Sequence, residues 1–232
     1  MQHYMDVRRI HRLRRIAKIL TFGGLGVMVV ALLVSLRNTG NTGVALGLSV
    51  IGLAGSQMGT VLMRRWPEQT RSDQVFDAAL KGLDDRHALV HYLLGCRHAL
   101  FTPRGVLALF PVAEPGRYAA RDGVLWHTRI KRGVATGKPS AQGRLASQAE
   151  TEAAELEQRL SRRLPERTEW DVLPVLVFVH PEARLEADGI FPPAVHLKKL
   201  KDFVRNLPRR TPLTKDEAGT LSTAFEGYLI SD

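Results

Sequence analysis

With 232 residues and a formal net charge of +10, the chain has room for one compact domain plus a shorter segment, because single domains run to about 100 to 150 residues. The charge is uneven: residues 1–69 hold 9 Lys and Arg against 2 Asp and Glu, whereas residues 70–232 hold 24 against 21. The excess belongs to the N-terminal third, so it does not by itself mark a nucleic-acid-binding domain. The single cysteine, Cys96, excludes an internal disulfide and suits a reducing compartment.

Between Lys18 and Arg37, residues 19–36 carry no charge; at 1.5 Å per residue they would cover about 27 Å, near the thickness of a hydrocarbon core. A second uncharged stretch, residues 42–63, follows the short polar connection 37–41. The two predict a transmembrane helical hairpin. Arg8, Arg9, Arg12, Arg14, Arg15 and Lys18 precede the first span, and Arg64 and Arg65 follow the second. Only Arg37 stands between them, which predicts that both termini are cytoplasmic. A cleaved signal peptide is the poorer reading, because the first span is long for one and a second follows at once. Gly55 and Gly59 have GxxxG spacing, read first as packing within the hairpin and second as a dimer contact. Residues 1–18 are then a basic cytoplasmic N-terminus, 19–63 the hairpin, 64–71 a linker and 72–232 a cytoplasmic domain.

In that domain Ser72 caps a helix with Val75, Phe76, Ala79, Leu80 and Leu83 at helical spacing, ending near residues 82–85. Residues 87–94, 97–101 and 105–112 are apolar runs too short for helices and read as strands. The last two are joined in a hairpin at Thr102-Pro103-Arg104-Gly105. Residues 124–127 give another strand after Arg121-Asp122-Gly123, and residues 131–143 read as an exposed loop. Ser147-Gln148-Ala149-Glu150 reads as a capping box opening a helix that carries Ala149, Ala153, Leu156, Leu160 and Leu164. Residues 172–179 form an unbroken apolar run suited to a central strand buried on both faces. A helix over 196–206 follows, with Leu197, Leu200, Val204 and Leu207 as its stripe. Thr214-Lys215-Asp216-Glu217 caps a last helix that turns Leu221, Phe225, Tyr228 and Leu229 inward. The order of elements predicts a mixed α/β domain behind two transmembrane helices.

The helix end Ala79-Leu80-Lys81-Gly82-Leu83, the segment from Cys96 to Val106, and the later Gly116 and Trp126 resemble the nuclease-related domain (NERD) family. The preceding spans resemble its membrane-tethered bacterial subgroup, which implies the inner membrane. The resemblance covers residues 72–128 well and implies a restriction-endonuclease-like fold. There one strand supplies an Asp and the next a Glu-x-Lys around a divalent metal. In the family's Ile-Asp-His-Ile pattern followed by Gly-Pro-x-Gly, His98, Pro103 and Gly105 match, but the Asp falls at Arg97. The same register puts the Glu at Phe110 and the Lys at Val112. All three positions are substituted, so the expectation is a nuclease-like fold without nuclease activity, without cofactor and without a metal site.

Two alternatives remain. A relocated metal site could draw on Asp77, Asp85 or Glu114, with Asp73, Asp84 and Asp122 also near in sequence; only then would Mg²⁺ or Mn²⁺ be needed. A non-cleaving nucleic-acid binder could use Arg97, Arg104 and the basic run Lys198, Lys199, Lys201, Arg205, Arg209 and Arg210, which equally suits anionic lipid head groups. The expected partners are therefore the lipid bilayer and, as candidates, nucleic acid or anionic lipid. His87 and His91 read as structural histidines, and Cys96 as a buried structural thiol.

Overall fold

The computed structural model describes residues 1–5, 7–37, 42–65, 72–131, 134–167, 169–187, 189–210 and 213–228. The chain divides into two compact units: Asp6–Thr70 forms one, and Met1–Met5 together with Arg71–Asp232 forms the other.

The first unit is a helical hairpin of α1 (Val7–Arg37) and α2 (Thr42–Arg65). Within it Arg15–Arg37 and Gly43–Leu62 are long and apolar enough to cross a membrane, and only 11% and 17% of the two segments is buried. Side chains such as Phe22, Leu25, Leu36, Val50 and Ile51 are exposed, the reverse of a soluble core helix. What the helices do bury is small: Ala17, Gly24 and Ala31 on α1, and Ala45, Gly52 and Gly59 on α2. These recur every seven residues on both helices, which keeps one narrow seam facing the partner. A Cβ on Gly59 would lie 2.9 Å from the Ala17 carbonyl oxygen, closer than real Cβ atoms approach, whereas one on Gly55 would meet its nearest neighbours at 3.8 Å, an ordinary van der Waals contact. The close packing thus runs through Gly52 and Gly59 within the hairpin, and Gly55 contributes less than its GxxxG spacing predicts.

The second unit is a mixed α/β domain. Its larger sheet has the order β1-β2-β3-β4-β8-β10, from β1 (Gln2–Met5), β2 (Ala88–His91), β3 (His98–Thr102), β4 (Gly105–Val112), β8 (Val172–Phe178) and β10 (Ala194–His196). The predicted hairpin is present: β3 and β4 pair antiparallel with Thr102 opposite Gly105, and the Thr102 hydroxyl closes the turn by donating to the Gly105 carbonyl at 2.9 Å. The apolar run β8 sits inside the sheet, parallel to β4 and β10.

One face is covered by α4 (Gly143–Arg163) and the C-terminal α6 (Lys215–Phe225), where Leu156, Leu160, Leu221 and Phe225 pack on Val90, Ala99, Phe101 and Ala108. The other is covered by α3 (Ser72–Leu80) and α5 (Leu197–Asn206), where Phe76, Leu80, Leu200 and Val204 pack on Leu89, Leu100, Leu107 and Val175. Helix α3 stops where Gly82 takes a positive φ of 82°, a backbone that glycine adopts at little cost. The capping box of α6 forms, with Thr214 and Glu217 each accepting from the other's backbone N–H.

A second sheet, β7-β6-β5-β9, comprises β5 (Gly116–Arg121), β6 (Val124–Lys131), β7 (Val134–Ala141) and β9 (Ala183–Glu186). Asp122 and Gly123, both with positive φ, make the tight turn between β5 and β6. A cluster of Phe110, Val112, Tyr118, Leu125, Leu176 and Phe178 joins this sheet to the larger one.

Four expectations need correction. Residues 2–5, expected in a basic leader, form edge strand β1, parallel to β2. The expected loop over 131–143 contains strand β7, whose described side chains, from Thr136 on, are largely exposed; as an edge strand it tolerates Pro139. Helix α4 starts at Gly143 with Gln142 before it and no side-chain cap, so Ser147 lies inside the helix and caps nothing. Tyr228, in a single 3-10 turn after α6, is 38% exposed and so not a core residue; Leu229 lies outside the described residues.

Candidate functional site

The β3–β4 register, with Ala99 opposite Ala108, sets Arg97, just before β3, level with Phe110. The Arg97 guanidinium lies 4.5 Å from the centroid of the Phe110 ring, and its Nε donates to Glu152 Oε1 at 2.9 Å. The backbone N–H of Arg97 donates to the other carboxylate oxygen at 3.3 Å. Burial raises the Glu152 pKa above the usual carboxylate range despite the opposing pull of Arg97. Phe110 and Val112 are 3% and 4% exposed and belong to the core between the sheets. This group does not fit a divalent cation: the guanidinium repels one, the two apolar side chains have no lone pair to offer, and the carboxylate of Glu152 is taken by Arg97. Glu152 was not foreseen, since it comes from α4, 55 residues away.

The basic residues are only partly gathered. Arg104 and Arg205 line a cleft of about 420 Å³ together with Asp84, Arg86 and His87. Arg86 is engaged, donating to Asp84 at 2.8 Å, and hydrogen bonds from Arg86 and His87 hold the Asp84 pKa down to about 2. Arg104 donates to the Leu207 carbonyl at 2.6 Å and Lys201 to the Lys81 carbonyl at 2.6 Å. Arg210 is paired with both oxygens of Asp171 at 2.6 and 2.7 Å. Lys198, Lys199 and Arg209 are exposed.

On the α3 face lies a polar chain that sequence reasoning met only in part. Nδ1 of His3 is 2.6 Å and Nε2 of His91 is 3.2 Å from the same Oδ1 of Asp77, and Nδ1 of His91 is 2.7 Å from Nδ1 of His98. Burial opposes ionisation of Asp77, but hydrogen bonds and positive charge at His91 and His3 outweigh it and lower its pKa. His87 is not in this group; it faces Asp84 at 2.6 Å. Nothing local in the sequence signals His3, which reaches Asp77 across 74 residues.

His98 is fully buried. Desolvation, then His91 and Arg97, lower its pKa well below the ordinary 6.5. The folded state thus refuses a proton that the unfolded chain accepts, so this contribution is complete above about pH 6.5 and is lost as pH falls below it. We expect the urea midpoint of the full chain in detergent to be lower at about pH 5.5 than at about pH 7.5, with His98→Gln narrowing that difference. An unchanged difference in the variant would refute this assignment.

Among the described residues, His3, Asp77 and His91 are the one group of three or more metal-capable side chains that converges. Asp85 and Glu114 are not part of it: Asp85 lies 2.9 Å from the amino group of Met1. The relocated trio Asp77, Asp85 and Glu114 is therefore not assembled. Cys96 is buried, and desolvation raises its pKa, so it is held as the thiol. Comparison with family models, with curated proteins and with solved structures finds no match.

Proposed function

We propose that the chain is a membrane-anchored, catalytically inactive NERD-like protein that serves as a binding or scaffolding module at the cytoplasmic face of a bacterial inner membrane. The observation that carries this reading is Arg97, lodged between Glu152 and Phe110 where the resemblance places the metal-binding Asp. The arrangement of β3 and β4 as neighbouring strands supports the nuclease-like fold, since its ligands come from two successive strands. Support for the topology comes from connectivity. Strand β1 precedes the hairpin and α3 follows it, yet both belong to one folded domain, which supports a hairpin whose two ends open to the same compartment.

The test uses the full chain in detergent or nanodiscs with single- and double-stranded DNA and RNA, in Mg²⁺, in Mn²⁺ and in chelator. We expect no metal-dependent cleavage. Cutting that follows the protein through purification and stops with chelator would overturn the inactive reading. Arg104 and Arg205 in the cleft, where Arg86 is paired with Asp84, favour an anionic partner, so binding to nucleic acid or to anionic vesicles should weaken as salt rises.

A further inference from the structure

We propose that His3, Asp77 and His91 form a binding site for one divalent transition-metal ion of the zinc class. Three elements converge there: His3 stands on β1, Asp77 on α3 and His91 on β2. Each offers one ligand atom, and the three atoms lie within 4.8 Å of one another. Tetrahedral coordination with bonds of about 2.0 to 2.1 Å spaces donor atoms about 3.3 Å apart. Of the two contacts around Asp77 Oδ1, the one at 3.2 Å from His91 is close to that spacing, whereas the one at 2.6 Å from His3 is shorter and opens to admit the ion.

The donor set selects the class of ion. Two imidazoles and one carboxylate suit zinc and its first-row neighbours, whereas Mg²⁺ and Ca²⁺ prefer all-oxygen surroundings. The outer shell is also in place: with Nε2 of His91 on the metal, its Nδ1–H points at Nδ1 of His98, 2.7 Å away, which fixes the tautomer and ring orientation. With the ion on Nδ1 of His3 and Nε2 of His91, each ring carries its proton on the other nitrogen, and any proton held at the coordinating atoms is released on binding. The Asp77 side chain is 37% exposed, which gives an ion an approach and leaves room for a water as fourth ligand. The site is separate from the substituted nuclease position, since Arg97 reaches toward α4 whereas Asp77 belongs to α3 on the opposite face. A metal here would clasp the segment entering the helical hairpin to the segment leaving it.

The test is titration of the full chain in detergent, stripped with chelator, with Zn²⁺ by calorimetry and with Co²⁺ by visible absorbance. We expect one equivalent to bind and to raise the thermal midpoint. His3→Gln and Asp77→Asn should each weaken binding at least about tenfold, while His87→Gln leaves it unchanged. Metal-free circular dichroism and urea midpoints establish that the variants fold. Should they not, a second measurement uses the wild-type chain: bound Zn²⁺ should protect His3, and not His87, from carbethoxylation read by mass spectrometry. No stoichiometric binding, binding undiminished in folded variants, or an unprotected His3 would overturn the proposal.

Discussion

Tyr4→Ala should lower the unfolding free energy of the α/β domain by about 3 kcal/mol, although the residue lies ahead of both long apolar helices in the chain. Tyr4 is 2% exposed, with its ring centroid 5.5 Å from that of Phe225 in α6. Its hydroxyl donates to Gln2 Oε1 at 2.6 Å and lies 3.2 Å from Ser222 Oγ. Truncation to alanine removes this packing and opens a cavity under α6, whereas Tyr4→Phe loses only the hydroxyl bonds and should cost about 1 kcal/mol. The same reasoning reaches the domain fragment that the sequence invites one to make. A chain beginning at Ser72 lacks β1, so it uncovers the edge of β2 and the pocket of Tyr4, and should unfold at lower urea and aggregate more readily than the full chain. The check is urea unfolding of wild type, both variants and the fragment in the same detergent. A fragment as stable as the full chain would show that β1 contributes nothing to the fold.

Strand β1 escaped sequence reading for physical reasons. It has four residues, His3 and Gln2 among them, and its partner begins at Ala88; no local periodicity announces a pairing across so much chain. The elements that were legible carry their cause locally. The two apolar segments are bounded by charge, the β3–β4 hairpin is signalled by its Pro-Arg-Gly turn, and β8 is an unbroken apolar run. Strand β7 reads as a loop because its Gly, Lys, Pro and Ser composition suits an exposed edge. Strands β9 and β10, of 4 and 3 residues, are too short for a pattern. Helix α4 shows how a local motif misleads: its buried stripe of Ala149, Ala153, Leu156 and Leu160 is as expected, but the capping-box spacing falls inside the helix, because sequence spacing alone does not say where backbone N–H groups lack partners.

The candidate sites divide along the same line. That Arg97 faces Phe110 follows from one hairpin register, so the pair could be read from sequence. That Glu152 takes the guanidinium, and that His3 meets Asp77 and His91, depends on packing between elements far apart in the chain. The basic residues were legible as a group, but the fold assigns them separate duties. Arg210 is held by Asp171 and Lys201 caps the end of α3, while Arg104 and Arg205 share the cleft. Charge in a sequence run therefore overstates the charge one surface can offer a partner.

Phe110→Glu, which writes back the carboxylate the nuclease resemblance expects, should destabilise the domain by at least about 3 kcal/mol and confer no metal-dependent cleavage. Phe110 is 3% exposed and packs with Leu176, Phe178 and Ala149, so the substitution loses aromatic burial and takes a carboxylate out of water. The neighbouring Arg97 guanidinium cannot neutralise it without loss, because that cation is already bonded to the largely buried Glu152 at 2.9 Å; serving the new carboxylate strips the old one. Phe110→Leu provides the reference, since it keeps the site apolar and should cost only about 1 to 1.5 kcal/mol. The pH dependence has a definite sign. Burial raises the folded-state pKa of the introduced glutamate above its unfolded value, so the deficit is smallest below about pH 4.3, where the unfolded chain is also protonated, and grows as pH rises through the folded pKa. Urea midpoints of the two variants across that range, with cleavage assays on the same preparations, decide the matter. If Phe110→Glu matched Phe110→Leu at neutral pH, position 110 would have the polar surroundings of a working metal site, and the degenerate-nuclease reading would lose its physical basis.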